Sequence, residues 1–517
     1  MFKKLGERNG LFDFIIIGGG ASGAGMVMEA ATRGYSAVLF EKSDFAKSTS
    51  GKSTKLVHGG VRYLAQGNIS LVREACVERG LLMRNAPHLV RNQSFIIPAY
   101  GLYDELLYTA GLKIYDLMAG TYSLGRSERI SADEVVERMP TVSSRGLTAG
   151  VLYHDGQFDD ARLVVNVLQT AVEHGAIVLN YAEVNGLLKD GGGRLTGVII
   201  HDPVSGVEHK VKGRAVLNAT GVFADEIMQM DEPGKDAIMR PSQGIHIVVD
   251  RSFLPGNDAL MIPKTVDGRV LFAIPWHGRI VIGTTDTPIE HATLEPVALE
   301  EEIEFILQTA GKYLARAPGR EDVLSVFAGL RPLAASKNYR KTKEISRSHR
   351  IIMSRSGLFT MIGGKWTTFR KMGEDMISRV EKFKGWKRTK PVTRSLRIHG
   401  YEEDSIYEDQ MYVYGSDRDA VLKLADDDPS LEGWLSSSLG IARAQVAWAV
   451  REEMAVSLED VLSRRTRAQL LDARESLRIA PEAARIMAGE QGRDVQWIES
   501  QVSDYRKVTE KYLLNGV

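Results

Sequence analysis

The chain has 517 residues, 44% of them hydrophobic and 26% charged, a composition typical of a globular protein. This length exceeds what one hydrophobic core supports, so we expect two or three domains. Lys plus Arg equals Asp plus Glu at 66 each, so no global basic excess indicates nucleic acid as a partner.

The first predicted unit is a buried strand, a glycine turn, a helix and a second buried strand between residues 14 and 41. Gly18, Gly20 and Gly23 fit the G-x-G-x-x-G spacing. The first permits a tight turn, the second lets the backbone approach a pyrophosphate, and the third lets the helix pack on the strand. The helix N-terminus then offers N–H groups to phosphates.

Glu41 follows the second strand, where a carboxylate can accept hydrogen bonds from ribose hydroxyls and disfavours the 2′-phosphate of NADP. The pattern therefore predicts an adenine-dinucleotide site and leaves open whether the dinucleotide is NAD or FAD. A glycine turn without a ligand is the alternative.

The basic N-terminal residues and the apolar run behind them could be mistaken for a signal peptide. Asp13 and the glycine run favour the phosphate-binding turn instead. The low-charge run 14–28 is shorter than the roughly 20 apolar residues of a spanning helix. We therefore expect any membrane contact to be peripheral.

The single cysteine, Cys76, excludes an intrachain disulfide and a cysteine-rich metal site, and we assign no metal ligands. One cysteine fits a reducing compartment. We expect Cys76 to be buried as a packing residue.

Residues 42–65 form a polar, glycine-containing stretch, which predicts a ligand-binding loop. Helical patterns follow at 68–86, 102–120 and 159–174. The last of these has Asp159 or Asp160 as its N-cap.

A meander of short strands between residues 182 and 212 leads into another buried strand. Residues 236–345 alternate short strands and turns, which predicts an antiparallel sheet over a substrate cavity. Residues 351–380 return to the strand–glycine–helix order, and the chain is mostly helical from about residue 403.

The sequence Asn218-Ala219-Thr220-Gly221 after an apolar strand resembles the second nucleotide motif of glutathione-reductase-like and D-amino-acid-oxidase-like flavoproteins. Within that superfamily, the chain resembles the FAD-dependent glycerol-3-phosphate dehydrogenases. The stretches that carry this resemblance stay in order over nearly the whole chain: 53–64, 86–89, 111–116, 155–163, 272–276, 283–286, 328–333, 363–368 and 457–467.

The resemblance implies an α/β fold with a Rossmann-like FAD-binding domain of the glutathione-reductase and D-amino-acid-oxidase type. It also implies an antiparallel-sheet substrate domain and a C-terminal helical domain. The expected division assigns 1–90, 150–235 and 346–394 to FAD binding, 91–149 and 236–345 to a substrate-binding cap, and 395–517 to the helical domain.

The resemblance further implies oxidation of sn-glycerol 3-phosphate to dihydroxyacetone phosphate, with a hydride passing from C2 to flavin N5. The electrons would then pass to a membrane quinone. Related oxidases tend to be longer through an internal insertion, so the compact length favours a dehydrogenase. An oxygen-reducing oxidase that makes hydrogen peroxide is the alternative, and a protein that binds FAD only to scaffold or sense is a third interpretation.

Cations that could hold the substrate phosphate are Arg62, Arg331 and Lys365. A single arginine is more often part of a surface ion pair. Arg331 lies between glycine-containing sequence and Pro332. This position, together with the resemblance, favours a substrate-facing role over a surface ion pair. Tyr63 is either a substrate donor or a core residue, and we place Thr284 with the substrate-binding residues.

His246 and His58 compete for the role of catalytic base, since an imidazole near pKa ~6.5 suits proton removal at neutral pH. Each histidine taken alone is more often structural. The resemblance places both near the flavin. We hypothesise that His246 is the base and that His58 lines the isoalloxazine ring, while Arg331 and Lys365 complete the catalytic set.

The expected FAD contacts come from the glycine turn, the loop after Glu41, the second nucleotide motif and the helix start near residue 365. A helix N-terminus at that last place would stabilise negative charge on the reduced ring. We favour noncovalent FAD. The predicted set is Gly18, Gly20, Ala21, Ser22, Gly23, Glu41, Lys42, Ser48, Thr49, Ser53, Thr54, Lys55, His58, Gly59, Val184, Ala219, Gly221, Gly364, Lys365, Trp366 and Thr367.

Two positions depart from the family pattern. Gln243 stands where relatives often carry lysine, and Lys52 stands where they often carry arginine. The glutamine puts any cationic role of position 243 in doubt.

Residues 100–122 combine five tyrosines with leucine, isoleucine and methionine, a composition that suits a membrane interface. Packing on the flavin domain or on a second subunit is the alternative. We expect a homodimer in the cytoplasm, peripherally associated with the cytoplasmic membrane. Arg464, Arg465 and Arg467 could form a dimer or lipid contact, or a solvated surface.

Overall fold

The computed structural model describes residues 5, 10–61, 68–202, 206–263, 265, 268–334 and 349–514. Its strands are β1 Phe12–Ile17, β2 Ala37–Phe40, β3 Leu56–Val57, β4 Val90–Ala99, β5 Glu128–Ser131, β6 Ala149–Phe158, β7 Ile177–Leu179, β8 Glu183–Lys189, β9 Leu195–His201, β10 Glu208–Asn218, β11 Ser242–Asp250, β12 Ala259–Ile262, β13 Leu271–Trp276, β14 Arg279–Gly283, β15 Thr287–Pro288, β16 Val323–Arg331, β17 Arg350–Met353, β18 Leu358–Ile362, β19 Trp434–Ser436 and β20 Ile441–Ala442.

The α-helices are α1 Ala21–Thr32, α2 Ile69–Asn85, α3 Leu102–Ala119, α4 Ala132–Arg138, α5 Asp160–Glu173, α6 Ala224–Asp231, α7 Glu300–Tyr313, α8 Phe369–Lys384, α9 Arg418–Asp427, α10 Arg443–Arg451, α11 Ala468–Leu471, α12 Ala473–Gln491 and α13 Val495–Thr509. The predicted helices at 68–86, 102–120 and 159–174 correspond to α2, α3 and α5. Asp159 is the N-cap of α5, and its side chain accepts a hydrogen bond from Arg162 N.

The first sheet has the strand order β17-β18-β10-β1-β2-β7, and the run from β18 to β7 is parallel. The strand β1 lies in its centre and is buried along almost its whole length, as its continuous apolar sequence requires. The meander β8–β9–β10 extends from this sheet in antiparallel pairing. The predicted βαβ start and the predicted meander are both confirmed.

Helices α1 and α8 cover one face of this sheet at unusually close approach. A Cβ on Gly25 would lie 2.7 Å from the Phe369 carbonyl oxygen, and one on Gly373 would lie 2.5 Å from the Gly25 carbonyl oxygen. Because only glycine leaves this space, the two backbones pack directly against each other. This contact brings the start of α8 next to the glycine turn at the start of α1.

The second sheet has the order β15-β11-β14-β13-β12-β4-β6-β3, with β16 paired to β11 and β5 to β6. It is antiparallel except where β12 runs parallel to β4. Helix α7 packs on one face, where Ile303 and Ile306 meet Ile245 and Ile247. The C-terminal helices pack on part of the other face, around Trp276.

The predicted surface role of the C-terminal arginines is wrong. Arg464, Arg465 and Arg467 are buried and form ion pairs with carboxylates of the same chain. Arg464 and Arg465 both reach Asp44 in the loop after β2, while Arg467 pairs with Asp160. The C-terminal region is therefore joined to the nucleotide-binding region by buried charge.

The division into three domains remains a prediction. Residues 150–158 of β6 and the short strand β3 pair within the second sheet, although the predicted division counts them with the FAD-binding segments. Within the described ranges, no helix has the length and apolar character needed to cross a membrane. Cys76 is fully buried, as predicted.

Candidate active site

Two neighbouring cavities lie at the carboxyl ends of the parallel strands. The first, of about 440 Å³, is lined by the residues that follow β1, β2, β10 and β18. The second, of about 280 Å³, lies against β11 and β16 of the second sheet. Both cavities share Thr49, Pro332 and the turn 363–366. Ligands of open α/β sheets bind at this edge, and the shared wall suits an extended molecule that reaches from one cavity to the other.

The glycine turn shapes the first cavity. Gly18 has a φ of +106°, and its Cβ would lie 2.8 Å from the Ala219 carbonyl oxygen of the second nucleotide motif. A Cβ on Gly23 would overlap the Gly18 carbonyl, so Gly23 allows the helix to pack on the turn. Gly18, Gly20, Ala21 and Ser22 line the cavity, while Gly23 lies behind it.

Glu41 lies at the edge of the first cavity, where its carboxylate also organises the turn. Its oxygens accept hydrogen bonds from Gly19 N at 2.7 Å and Ser43 N at 2.8 Å. Burial raises the pKa of the Glu41 carboxyl, and the two backbone hydrogen bonds act in the opposite direction. A carboxylate held in this way can accept hydroxyl donors from a ribose.

Ser50 is a cavity residue that the sequence analysis missed. Its hydroxyl accepts a hydrogen bond from Ala21 N at 2.9 Å, and its carbonyl accepts one from Trp366 Nε1 at 2.9 Å. The neighbouring Ser48 and Thr49 were predicted and also line this cavity. A run of hydroxyl residues in one loop was the available signal, but it does not say which members face the ligand.

Lys55 does not line either cavity. Its ammonium is fully buried, 2.7 Å from Asp160 Oδ2 and 2.9 Å from the Gly51 carbonyl oxygen. Burial lowers the pKa of Lys55 to about 8, although the Asp160 carboxylate opposes the shift. Lys55 therefore stabilises the loop that carries the predicted cofactor residues Ser53 and Thr54.

Gly59 also lies outside both cavities. A Cβ there would collide with Tyr115 Oη, and Gly59 N donates to Asp155 Oδ1 at 3.2 Å. Of the other predicted cofactor residues, Lys42, Val184, Ala219 and Gly221 line the first cavity. Ser53, Thr54, His58 and Thr367 line the second.

His246 is the buried histidine of the second cavity. Its Nε2 lies 2.9 Å from Thr54 Oγ1, and its ring stacks on Phe327 with centroids 4.9 Å apart. Burial lowers the pKa of His246 well below its usual value, and the positive charges of Lys55 and Arg331 add to the shift. The imidazole is therefore neutral near pH 7, which is the form that accepts a proton.

Arg331 ends β16 and its guanidinium holds the loop that follows β14. It donates to Thr285 O at 2.8 Å and to Thr284 Oγ1 at 3.2 Å, and it pairs with Asp286 Oδ1 at 3.2 Å. Arg331, Thr284 and Asp286 all line the second cavity. The arginine thus orders this wall and contributes positive charge to it.

The turn 363–366 separates the two cavities and begins the helical segment that continues into α8. Gly363 and Gly364 have φ values of +70° and +102°. Lys365 and Trp366 line both cavities. Thr367 Oγ1 donates to the His58 carbonyl oxygen at 3.4 Å, so this turn contacts the loop that carries the second histidine.

Gln243 points away from the second cavity, because its neighbours Gly244 and His246 occupy the cavity side of β11. Its amide donates to Val297 O at 2.9 Å and to Glu302 Oε2 at 2.8 Å. The glutamine therefore removes no cation from this cavity wall. Arg62 and Tyr63, the remaining predicted substrate residues, lie outside the described residues.

The residues present fit an extended dinucleotide. The first cavity offers the glycine turn, a helix N-terminus and a carboxylate, which match pyrophosphate and ribose. The second offers an aromatic side chain, hydroxyls and a neutral imidazole beside the shared turn. Within the described part of the chain, no cluster of His, Cys, Asp and Glu could hold a metal ion.

Comparisons with known proteins give the same dinucleotide chemistry. A family model described as FAD dependent oxidoreductase matches residues 13–370, and one described as the C-terminal domain of alpha-glycerophosphate oxidase matches residues 360–497. A curated relative from Dictyostelium discoideum, named probable mitochondrial glycerol-3-phosphate dehydrogenase, is 35% identical over 99% of this chain and 86% of its own length. The Bos taurus mitochondrial glycerol-3-phosphate dehydrogenase is 35% identical over 97% of this chain and 73% of its own length.

Solved structures agree with these relatives. The glycerol-3-phosphate dehydrogenase from Bacillus halodurans, complexed with FAD, has a TM-score of 0.80 and 27% identity, and the match covers 100% of this chain and 98% of that one. The L-alpha-glycerophosphate oxidase from Mycoplasma pneumoniae shares the fold at a TM-score of 0.56 and 17% identity, over 75% of this chain and 98% of that one. The predicted fold class and the choice of FAD over NAD are confirmed. The chain belongs to the family of FAD-dependent oxidoreductases that contains the glycerol-3-phosphate dehydrogenases, and its cofactor is FAD.

Proposed function

We propose that the protein oxidises sn-glycerol 3-phosphate to dihydroxyacetone phosphate and passes the electrons to a membrane quinone. The observation that carries this proposal is the second cavity, because neutral, buried His246 lines it together with Arg331 and Lys365. The names of the relatives point to the same substrate. The chemistry needs a phosphate site, a base and a flavin within one small space, and this cavity adjoins the dinucleotide cavity.

FAD, when bound, would supply the acceptor for the hydride that leaves C2 of the substrate. The glycine turn and Glu41 would hold the adenosine diphosphate end of FAD, and Trp366 and Thr367 would contact its flavin end. His58 lines the flavin in this proposal.

His246 serves as the base. Its Nε2 is the ring nitrogen in contact with a cavity-lining hydroxyl, so we place the proton of the substrate hydroxyl there. A histidine with a depressed pKa stays neutral and available at neutral and mildly acidic pH. His246 would thus take the proton from the oxygen of the C–O bond whose carbon loses the hydride.

Arg331 and Lys365 bind the substrate phosphate, with Arg62 and Tyr63 as further ligands. The hydrogen bonds of Arg331 to the loop 284–286 fix its guanidinium, and this lowers the entropy lost when an anion binds. Thr284 adds a hydroxyl on the same wall. The Asp286 carboxylate beside Arg331 limits the net positive charge and so helps the product phosphate to leave.

Anaerobic titration with sn-glycerol 3-phosphate tests the substrate. We expect bleaching of the flavin absorbance at about one equivalent, with no bleaching by glycerol, which lacks the phosphate. The His246→Asn variant should bind FAD but reduce it far more slowly, because a general base contributes about 10²–10⁴-fold. Unchanged flavin absorbance in the unmodified protein would contradict the substrate, and near-normal reduction in His246→Asn would contradict the base.

The electron acceptor separates the dehydrogenase from the oxidase. We expect turnover with a soluble quinone analogue and little peroxide without it. Stoichiometric hydrogen peroxide from aerobic turnover without quinone would select the oxygen-reducing alternative. The names of the curated relatives, which are dehydrogenases, support the first outcome.

Helix α3 supports peripheral association with the cytoplasmic membrane. Its residues Leu102, Tyr103, Leu106 and Leu117 are 69%, 77%, 61% and 82% exposed. At 100° per residue they lie on one face, while Leu112 and Tyr115 on the other face are buried. An outward apolar face of this kind suits insertion into a lipid interface. A second subunit of a homodimer is the alternative occupant of this face.

A further inference from the structure

The imidazole of His246 makes one side-chain hydrogen bond within the described part of the chain. Its partner is the Thr54 hydroxyl, 2.9 Å from Nε2. Nδ1 is buried and has no hydrogen-bond partner among the described residues. Phe327 stacks on the ring at an interplanar angle of 17°. Stacking sets the plane of the ring but does not distinguish the two orientations related by a 180° turn about Cβ–Cγ, which exchange Nε2 with Cε1. The hydrogen bond to Thr54 is what fixes the position of Nε2.

Thr54 is itself held by both of its neighbours. Ser53 donates to Asp160 Oδ2 from its backbone N at 3.0 Å and from its hydroxyl at 2.7 Å. The Lys55 ammonium lies 2.7 Å from the same oxygen and is fully buried. Because one buried carboxylate anchors the residues on either side, the Thr54 side chain has a defined direction.

We propose that the Thr54 hydroxyl orients the His246 imidazole and relays the proton of the substrate hydroxyl to Nε2. The proposal rests on the function assigned to His246 above and gives Thr54 a role other than contact with FAD. A hydroxyl can donate to neutral Nε2 and, after the ring has taken a proton, accept from Nε2–H. Because the single lone pair of neutral Nε2 faces Thr54, the proton of the substrate hydroxyl passes to Thr54 Oγ1 while Thr54 gives its own proton to Nε2. Thr54 then accepts a hydrogen bond from Nε2–H.

Two substitutions separate this role from packing. Thr54→Val keeps the volume and removes the hydroxyl, whereas Thr54→Ser keeps the hydroxyl and removes a methyl group. Thr309→Val is the matched control, because Thr309 is buried on α7 outside both cavities. All three variants should bind FAD with the stoichiometry and visible spectrum of the unmodified protein.

The kinetic readout is the limiting rate of anaerobic flavin reduction by sn-glycerol 3-phosphate across pH. We expect Thr54→Val to lower this rate at least tenfold and to shift the acid limb of the pH profile, which is the pH range over which the rate falls as the solution becomes more acidic. Thr54→Ser should stay within about threefold with an unchanged limb, as should Thr309→Val. A Thr54→Val variant with normal rate and pH profile would overturn the proposal. A loss in Thr54→Val that serine does not restore would also overturn it, since it would reveal a packing role.

A second readout does not depend on turnover. Nitrogen-15 NMR of histidine-labelled protein, with the His246 signals assigned from His246→Asn, reports the protonation of each ring nitrogen. We expect the pH titration of His246 to change in Thr54→Val and to be restored in Thr54→Ser; an unchanged titration in Thr54→Val would count against the proposal. If the substrate fails to reduce the unmodified enzyme, the proposed function fails, while this measurement still tests the contact.

Discussion

Arg465 and Asp44 form a bidentate buried ion pair of 2.7 and 2.9 Å that joins positions 421 residues apart. Asp44 lies three residues after Glu41, in the loop that lines the dinucleotide cavity. Burial alone would raise the pKa of Asp44, but Arg465 and Arg464 hold it well below its usual range. The C-terminal region thus stabilises the loop beside the cofactor.

Removing one partner of this pair should be strongly destabilising. Arg465→Ala leaves a buried carboxylate with one of its two cations, and breaking a buried pair costs roughly 3–5 kcal/mol. The free energy of unfolding from urea denaturation of the FAD-loaded protein checks this value. Arg478→Ala is the matched control, because Arg478 pairs with Glu475 on the surface and should cost at most about 1 kcal/mol. Equal costs for the two variants would contradict the structural role of Arg465.

The pH dependence of flavin reduction should reflect the depressed pKa of His246. Burial, with Lys55 and Arg331, lowers that pKa well below 6.5, so the imidazole stays neutral as the pH falls through 6.5. At saturating substrate, we expect the acid limb of the reduction rate to lie below pH 6.5. Stopped-flow absorbance measures it, and a limb above pH 6.5 that depends on His246 would refute the assignment.

Gly244 provides the space that Arg331 occupies. A Cβ at this position would overlap Arg331 Nη2 and crowd Thr284 Oγ1, which would lie 2.6 Å away. Overpacking of this kind costs typically about 1–3 kcal/mol, so Gly244→Ala should lower kcat/KM roughly tenfold, mainly through KM. FAD content should remain normal. Gly489→Ala, in a helix position where nothing lies within 4 Å of the new Cβ, should leave the kinetics unchanged.

His399 should make stability pH-dependent on the alkaline side. Hydrogen bonding to Asp417, with Glu173 as a second partner, raises the pKa of His399 to about 9. A raised folded-state pKa contributes stability that is full below the unfolded value of about 6.5 and is lost as the pH rises through 9. Urea midpoints of the unmodified protein and His399→Asn should therefore differ at pH 6 and converge towards pH 10. A constant difference would show that the charge does not contribute.

The apolar face of α3 should control vesicle binding. Leu106→Glu combined with Leu117→Glu places two charges on that face and should abolish co-sedimentation with lipid vesicles, while substrate-dependent flavin reduction persists. Val495→Glu is the control, since Val495 is also exposed, at 67%, but lies on α13. If the double variant still binds vesicles but dissociates from dimer to monomer in light scattering, the face is a subunit contact instead.

Local patterns were enough to predict the glycine turn, the strands β1 and β2, and helices α2, α3 and α5. These features depend on backbone conformation and on apolar periodicity, which are properties of neighbouring residues. The sequence did not decide whether the apolar residues of α3 are buried or form an interface, because tyrosines and leucines suit both. The structure decided this: helix α2 and strands β4 and β6 pack against the side that carries Tyr115 and leave the other side exposed.

The side-chain partners of charged residues could not be predicted in this way. Lys55 was assigned to the cofactor, yet its carboxylate partner Asp160 lies 105 positions away and only the assembled sheets bring the two together. The C-terminal arginines were expected at the surface for the same reason. Apolar spacing and glycine geometry are encoded locally and define the dinucleotide fold, whereas burial and ion pairing depend on which distant segments meet. Packing therefore determined which loop residues line the ligand cavities and which, like Lys55, are buried and stabilise the loop.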